Sequence, residues 1–155
     1  MLKAVTKWPL FVTVGLICPL LMFSQIAKSA DINATCNNAT LYGTYVYSYS
    51  GYSGTGNTLT RFAVAGLAVF NGDGTLHGVS TTATEGQPVA RLVTYTGTYA
   101  IKPDCTATET DTDQNGVVSH FDDFTNPSGD TVSYIETDPN VVSSGFETRR
   151  SLEKQ

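Results

Sequence analysis

The strongest constraint in this sequence is a series of short alternating segments that are joined by tight turns. Residues 89–101 show the pattern best, because Val93, Tyr95 and Tyr99 occupy alternate positions and threonine and alanine fill most of the positions between them. A period of two is typical of a β-strand with one apolar face. Residues 30–155 contain no convincing window with a helical period.

Eight segments of this kind can be identified, and short connections join them. They are residues 41–50, 60–70, 75–84, 89–101, 106–112, 117–124, 131–137 and 141–150. The connection Asn71-Gly72-Asp73-Gly74 is a strong hairpin signal. Short connections predict antiparallel neighbours. We therefore predict an all-β fold, an eight-stranded antiparallel up-and-down β-barrel. A two-sheet sandwich is the alternative, although sandwiches usually contain long crossovers.

The first 29 residues have the features of a secretory signal peptide. Lys3 and Lys7 form a basic start, an apolar run covers residues 8–23, and Ala27 and Ser29 provide small residues for cleavage after Ser29. This order is typical of an export signal. We predict a signal peptide over residues 1–29 and a single barrel domain over residues 30–155, in the periplasm or outside the cell. The alternative is an uncleaved membrane anchor; in the mature form we expect no membrane span.

The charge of the chain disfavours two classes of partner. The whole sequence has a net charge of −5. Removal of three lysines with the signal peptide leaves six basic residues against fourteen acidic ones, a net charge of about −8. Nucleic acids and anionic lipids both require basic surfaces. We therefore expect neither as a partner.

Two cysteines remain after cleavage, Cys36 and Cys105. An even pair in an exported chain predicts a disulfide, and two separate buried thiols are the alternative. Closing a loop of about 70 residues would stabilise the fold by roughly 4 kcal/mol in the chain-entropy model. Neither His77 nor His120 lies near a cysteine in sequence, which disfavours a zinc site.

Four stretches of the sequence resemble a known family. They are NNATLYGTYVYSYSG from residue 37, AGLAVFNGDGTLHG from residue 65, YTGTYAIKPDCTAT from residue 95 and IETDPNVVSSGFETRR from residue 135. They are similar to small exported bacterial proteins described as allene-oxide-cyclase-like, or calycin-like, barrels. The resemblance covers nearly the whole mature chain and implies an eight-stranded barrel. No catalytic motif of the plant cyclases can be transferred to this sequence, so an enzymatic inference rests on analogy of fold.

Aromatic residues on the predicted strands would line the interior of a barrel. They are Tyr45, Tyr47, Phe62, Phe70, Tyr95, Tyr99, Phe121 and Tyr134. They would either form a ligand pocket with phenolic hydroxyls as its polar points or simply fill the barrel. Small residues on the same strands favour a cavity; they are Gly43, Gly66, Ala68, Gly78 and Gly97.

Two charged residues share a face with apolar neighbours. Arg91 alternates with Val93 and Tyr95, and Glu136 alternates with Tyr134. An inward Arg91–Glu136 pair could anchor an acidic ligand, whereas strand-end positions would place both in solvent. The predicted ligand-binding residues are therefore Tyr45, Tyr47, Phe62, Phe70, Arg91, Tyr95, Tyr134 and Glu136.

One acidic stretch has the spacing of a calcium loop. Its candidate ligands are Asp111, Asp113, Asn115 and Asp122, with Gly116 at the sixth position. The flanks alternate as strands do, and Asp122 is shorter than the usual bidentate glutamate. A hairpin turn with solvated acids is the favoured interpretation.

The leading functional hypothesis is an exported barrel that binds a small apolar or amphipathic molecule. A cofactor-free cyclase or isomerase of the allene-oxide-cyclase type is one alternative, and a filled barrel that acts as a surface or matrix interaction protein is another. We expect no cofactor, favour a non-enzymatic role and assign no catalytic residue. The sequence has no P-loop, no dinucleotide fingerprint and no Ser/His/Asp order, and His120 lies on a predicted strand without an evident catalytic partner in the sequence.

Overall fold

The computed structural model of this protein describes residues 35–153. They form eight β-strands and a short 3-10 helix, Asn38–Thr40. The strands are β1 (Tyr42–Ser53), β2 (Thr60–Asn71), β3 (Thr75–Thr84), β4 (Ala90–Ile101), β5 (Thr106–Asp113), β6 (Val118–Thr125), β7 (Thr131–Glu136) and β8 (Val141–Ser151). The predicted signal peptide, residues 1–29, lies outside the described residues. Within residues 35–153, no helix is long and apolar enough to cross a membrane.

The eight strands form one closed antiparallel barrel. Each strand pairs with its neighbours in chain order, and β1 also pairs with β8. Closure pairs the backbone groups that an open sheet would leave at its edges. The predicted fold is confirmed, and the predicted strand bounds differ from the observed ones by at most three residues.

One end of the barrel, which we call the closed end, is covered by the 3-10 helix and the start of β1. Leu41 is fully buried there in a cluster with Tyr45, Phe70 and Tyr99. The Tyr99 hydroxyl donates to the Leu41 carbonyl oxygen at 2.9 Å and accepts from the Gly72 N–H at 3.0 Å. Apolar packing and satisfied hydroxyls together fill this end.

The predicted disulfide is confirmed and lies at the closed end. Cys36 precedes the 3-10 helix, and Cys105 lies in the turn between β4 and β5. The bond closes a chain segment with a sequence separation of 69 residues. It therefore ties the segment that covers the barrel end to the barrel wall.

Arg149 of β8 connects three parts of the closed end. Its Nε donates to the Tyr45 hydroxyl at 3.0 Å, its Nη2 to the Thr40 carbonyl oxygen at 3.0 Å, and its Nη1 to Asp130 Oδ1 at 3.0 Å. The Tyr45 hydroxyl in turn donates to the Gly129 carbonyl oxygen at 2.6 Å. The forked guanidinium can serve several acceptors at once, which a lysine could not do in the same geometry.

The opposite end, which we call the open end, carries the turns 54–59, 85–89, 114–117 and 137–140. Interior side chains near it are only partly buried, as Phe62, Thr82, Val93 and Ser119 show. The two ends of the barrel therefore differ, because one is packed and the other admits solvent.

A bulge in β4 corrects the prediction for Arg91. Ser80 pairs with Val93 and Thr82 pairs with Ala90, so Arg91 and Leu92 together stand against one residue of β3. The extra residue shifts the alternation of the strand, and a bulge re-aims side chains in this way. Arg91 is exposed instead of sharing the inner face with Val93. The inward orientation that an Arg91 anchor requires does not occur, and the solvent-exposed alternative is the one observed.

Replacement of Arg149 tests whether the closed end depends on this one guanidinium. Arg149→Met should lower the free energy of unfolding by about 2–3 kcal/mol, because the Thr40 carbonyl oxygen and the Tyr45 hydroxyl lose a charged donor. Arg150→Met is the matched control, since Arg150 is exposed, and it should change stability by less than about 0.5 kcal/mol. Urea unfolding measures both, and equal effects would contradict the assignment.

Candidate functional site

The aromatic residues predicted for the interior are all buried or packed against the buried core. Tyr45, Phe70 and Tyr99 pack edge-to-face at the closed end, with ring centroids 5.0–5.1 Å apart. Further along the axis, Tyr49 contacts the rings of Phe121 at 6.0 Å and Tyr134 at 5.8 Å. Edge-to-face contacts of this kind stabilise an aromatic interior.

The interior glycines do not leave the empty space that the sequence suggested. A side chain at Gly66 would collide with the ring of Tyr47, and one at Gly78 would collide with the Tyr95 hydroxyl end. The hydroxyl ends of both tyrosines approach backbone that has no Cβ, as expected where a glycine permits close approach. These glycines therefore make room for tyrosine side chains.

Four carboxyl side chains occupy the middle of the interior, and we call them the acid cluster. They are Glu109 and Asp111 of β5, Asp123 of β6 and Glu147 of β8. Asp123 is 3% exposed and Glu147 is 6% exposed. Asp123 lies directly opposite Tyr134 of β7, and Tyr134 lies opposite Gly145, two residues before Glu147. The pairing of β5 to β8 thus brings the four carboxyl groups together around Tyr134.

The lysines and arginines among residues 35–153 all lie away from the acid cluster. Arg61 pairs with Glu85 in solvent, and Arg149 is committed to the closed end. The remaining three are exposed; they are Arg91, Lys102 and Arg150. Within residues 35–153, the acid cluster therefore has no Lys or Arg as an ion-pair partner.

Burial without a counter-charge raises the pKa of every member of the acid cluster. Desolvation is the main cause, and it raises the pKa of Asp111 and of Asp123 to about 7. The pKa values of Glu109 and Glu147 lie well above the ordinary range, because desolvation adds to the charges of Asp111 and Asp123. Removal from water disfavours the charged form of a carboxyl group. The cluster is consequently poised to change charge near neutral pH.

Two cavities adjoin the acid cluster. The first, the inner cavity, has a volume of about 20 Å³. It is lined by Tyr47, Tyr49, Tyr95, Glu109, Asp111, Phe121, Tyr134 and Glu147. The second, the mouth cavity, has a volume of about 280 Å³ and lies at the open end. It shares Tyr47, Tyr49, Tyr95 and Asp111 with the inner cavity and adds Ser80, Thr82, Ala90, Val93, Asp113, Asn115, Val117 and Ser119.

Several polar atoms of this region lack a hydrogen-bond partner within the protein. They are Asp111 Oδ1, Asp123 Oδ2, the Tyr134 hydroxyl and Glu147 Oε2, and all four are buried. Three of the four residues line the inner cavity. Most buried polar groups in native proteins are hydrogen-bonded to protein or to ordered water, so these atoms are the points at which a water molecule or a ligand would supply hydrogen bonds.

The predicted Arg91–Glu136 anchor does not form. Glu136 is partly buried, and its Oε2 accepts a hydrogen bond from Ser143 Oγ at 2.8 Å. Desolvation raises the pKa of Glu136. Because Arg91 is exposed at the β4 bulge, no ion pair between these two residues occurs among those of residues 35–153.

The four calcium candidates do not converge. Asp113 Oδ1 accepts from the N–H groups of Asn115 and Val117, which makes it a turn residue of the hairpin. Asp111 faces the interior, whereas Asp122 is exposed and stands opposite Thr108, farther along the ladder. Among residues 35–153, no group of three or more His, Cys, Asp or Glu side chains is arranged to hold a metal ion.

Sequence reasoning missed three members of the acid cluster, Glu109, Asp123 and Glu147, and treated Asp111 as a turn ligand. Alternation places Glu109 and Asp111 on one face of β5, but threonines occupy the other face. A strand with two polar faces does not reveal which face points inward. The residue that could have revealed the inward position of Asp123 is Phe121, because this large apolar residue lies on the same face of β6.

The fold and its interior define a class of protein, a closed up-and-down barrel with an acidic and aromatic interior that opens at one end. No protein-family model and no curated protein matches the chain. A de novo designed fluorescence-activating β-barrel is similar with a TM-score of 0.50 and 11% identity, over 77% of this chain and 99% of the other. A redesigned β-barrel, mFAP0, bound to DFHBI gives a TM-score of 0.49 and 17% identity, over 71% of this chain and 99% of the other. At 11% identity, the first similarity shows the barrel fold alone.

The acid cluster predicts an unusual dependence of stability on pH. Because the folded-state pKa values are raised, the folded state binds more protons than the unfolded chain between about pH 4 and pH 7. The stabilisation of the folded state by these extra protons is therefore present at low pH, and it is lost as the pH rises through the folded-state pKa values. The free energy of unfolding should fall from pH 5 to pH 7.5.

Asp123→Asn removes one of these proton-binding groups. It should reduce the slope of the free energy of unfolding against pH by about 1.4 kcal/mol per pH unit near pH 5.5. The matched control is Asp122→Asn, which makes the same change of charge at an exposed neighbour and should keep nearly the full slope. Urea unfolding at half-unit pH intervals measures all three proteins. A slope that Asp123→Asn leaves unchanged would contradict a proton-binding role for this residue.

Proposed function

We propose that this protein binds a small amphipathic molecule through the open end of its barrel. The observation that carries the proposal is the mouth cavity of about 280 Å³, whose wall continues into the acid cluster through Tyr47, Tyr49, Tyr95 and Asp111. Ligand sites are typically concave and mostly apolar, with a few polar groups that orient the ligand. Val93, Val117 and Ala90 supply apolar wall, and the carboxyl groups supply the polar points.

The location of this function is a further part of the proposal. We place the protein outside the cytoplasm, because the Cys36–Cys105 disulfide is compatible with an oxidising compartment and residues 1–29 have the pattern of an export signal. Recovery of protein that begins near Ala30 from the periplasm or medium would support export. Recovery of the protein only from the cytoplasm would contradict export, and intact residues 1–29 on protein outside the cytoplasm would contradict cleavage.

Membership of the allene-oxide-cyclase-like family stays part of the proposal, and it rests on the four quoted stretches of sequence. A cofactor-free isomerase is the second candidate function. It is favoured by the raised pKa values of Asp111 and Asp123, about 7, because a carboxyl group poised near neutral pH can act as a general acid. Conversion of a bound ligand, and not binding alone, would distinguish this candidate.

A bulky residue in the mouth cavity tests the binding proposal. Val93→Trp should weaken the binding of hexanol, hexanoate and hexylammonium at least tenfold, whichever of these probes the protein takes up, because the indole fills the space that they enter. Thr96→Trp is the matched control on the same strand, since Thr96 is exposed, and it should leave binding unchanged. Amide chemical-shift changes measured by NMR during titration report affinity and position.

Shift changes centred on the mouth cavity and lost in Val93→Trp would support the proposal. Failure of all three probes to perturb residues around the mouth cavity would contradict it and favour a barrel whose function lies on its outer surface.

A further inference from the structure

The inner cavity is lined by two residues with an unpartnered carboxyl oxygen and by one with an unpartnered hydroxyl, Tyr134, so the acceptors outnumber the donors when the carboxyl groups are ionised. Asp111 Oδ1 and Glu147 Oε2 are buried, line this cavity and have no partner in the protein. Glu147 is only 6% exposed, so bulk water does not solvate it as it would a surface carboxylate. An ionised carboxylate is an acceptor only. A fitting occupant therefore brings N–H or O–H donors and, where the carboxyl groups are ionised, positive charge.

The remaining walls of the inner cavity are aromatic. They are formed by Tyr47, Tyr49, Tyr95, Phe121 and Tyr134. The faces of aromatic rings attract cations, and the attraction is stronger where water is excluded. Rings and carboxyl groups around one small space therefore favour the same charge on an occupant.

The volume of the inner cavity limits the kind of cation. A space of about 20 Å³ holds one water-sized group. A primary ammonium group is of that size and carries three N–H donors, as the ammonium of lysine does. Trimethylammonium and guanidinium groups are larger. A bare metal ion is disfavoured because, among residues 35–153, no set of side chains is arranged to coordinate one.

The mouth cavity indicates which kind of group is attached to the ammonium. It shares Tyr47, Tyr49, Tyr95 and Asp111 with the inner cavity and adds apolar wall from Val93. A short aliphatic tail leading from an ammonium group would lie against this wall and be removed from water.

We infer that the barrel takes a primary ammonium compound with a short apolar tail, the ammonium group in the inner cavity and the tail in the mouth cavity. This inference rests on the proposed function and names the chemical class of its ligand. Asp111 and Glu147 are the groups that receive the N–H donors. Tyr134 and the other rings surround the charge.

A matched set of six-carbon probes tests the inference by calorimetric titration at pH 7.5. The probes are hexylammonium, hexyltrimethylammonium, hexanol and hexanoate. Hexylammonium should bind at least tenfold more tightly than each of the others, because it alone combines positive charge, N–H donors and a head small enough for the inner cavity.

Two variants assign the selectivity to the acid cluster. Glu147→Gln and Asp111→Asn each keep the shape of the side chain and remove its charge, and each should reduce the preference for hexylammonium over hexanol at least tenfold. Two variants are used so that a folding defect in one leaves the other informative. Asp122→Asn is the control for a change of net charge and should alter neither affinity.

Binding of hexylammonium should also strengthen from pH 5.5 to pH 8, because a cation competes with protons for the carboxyl groups, whereas hexanol should show no such trend. The titratable and charged side chains that face or adjoin this region come from β1, β4, β5, β6, β7 and β8. They are Tyr45, Tyr47, Tyr49, Tyr95, Tyr99, Glu109, Asp111, Asp113, Asp123, Tyr134, Glu136, Glu147 and Arg149. β2 and β3 present apolar, glycine or hydroxyl residues to the same region.

The possible outcomes separate this inference from the proposed function. Equal or tighter binding of hexanol, hexanoate or hexyltrimethylammonium at the mouth cavity would overturn the ammonium assignment and leave a ligand-binding barrel in place. Unchanged selectivity in both carboxyl variants would also overturn it, since water in the inner cavity would then satisfy the acceptors. No binding of any probe would contradict the proposed function, and this inference with it.

Discussion

The desolvation of carboxyl groups without a basic partner is the constraint on which the interior of this barrel depends. A buried carboxylate that lacks a counter-charge is strongly disfavoured, and it responds by holding its proton. Asp123 and Glu147 are almost completely buried, and the described lysines and arginines lie in solvent or at the closed end. Protonation of the acid cluster therefore stabilises the folded barrel. The same protons are what a positively charged ligand would displace.

The acid cluster lies between two ends of the barrel that differ in packing. At the closed end, Leu41, Phe70 and Tyr99 fill the interior, and Arg149 and the Cys36–Cys105 bond hold the covering segment in place. At the open end, partly buried residues line the mouth cavity. A rigid packed end supports a site at the other end, because interior side chains are positioned by the strands that the closed end holds together. The acid cluster lies between the two.

Much of the fold could be predicted from sequence because the local signals agree with one another. Turns such as Asn71-Gly72-Asp73-Gly74 separate strands whose apolar residues alternate, so the number, order and pairing of the strands all followed. The disulfide followed from the count of cysteines. The aromatic residues were placed inside because Tyr45, Tyr47 and Tyr95 occur in apolar alternation.

The candidate site was harder to predict, for physical reasons that particular residues show. Arg91 was misplaced because a bulge with Leu92 at a φ of 53° shifts the register of β4, and no glycine marks that position. Glu109 was missed because both faces of β5 are polar, so its pattern does not reveal the inner face. Gly66 and Gly78 were interpreted as space, although tyrosine rings cover both. Alternation identifies residues that share a face, and only the packing of the whole barrel decides what that face contacts.

NMR of the side-chain carboxyl carbons directly measures whether the interior carboxyl groups are desolvated and lack a counter-charge. A titration of the purified protein from pH 3 to pH 9, with Asp123→Asn and Asp111→Asn used to assign the signals, gives a midpoint for each group. We expect midpoints of about 7 for Asp111 and Asp123, and midpoints well above the ordinary range of glutamate for Glu109 and Glu147. Midpoints between about 3.5 and 4.5 for all four groups would show that these carboxyl groups are solvated or paired with a counter-charge, and would contradict their desolvation.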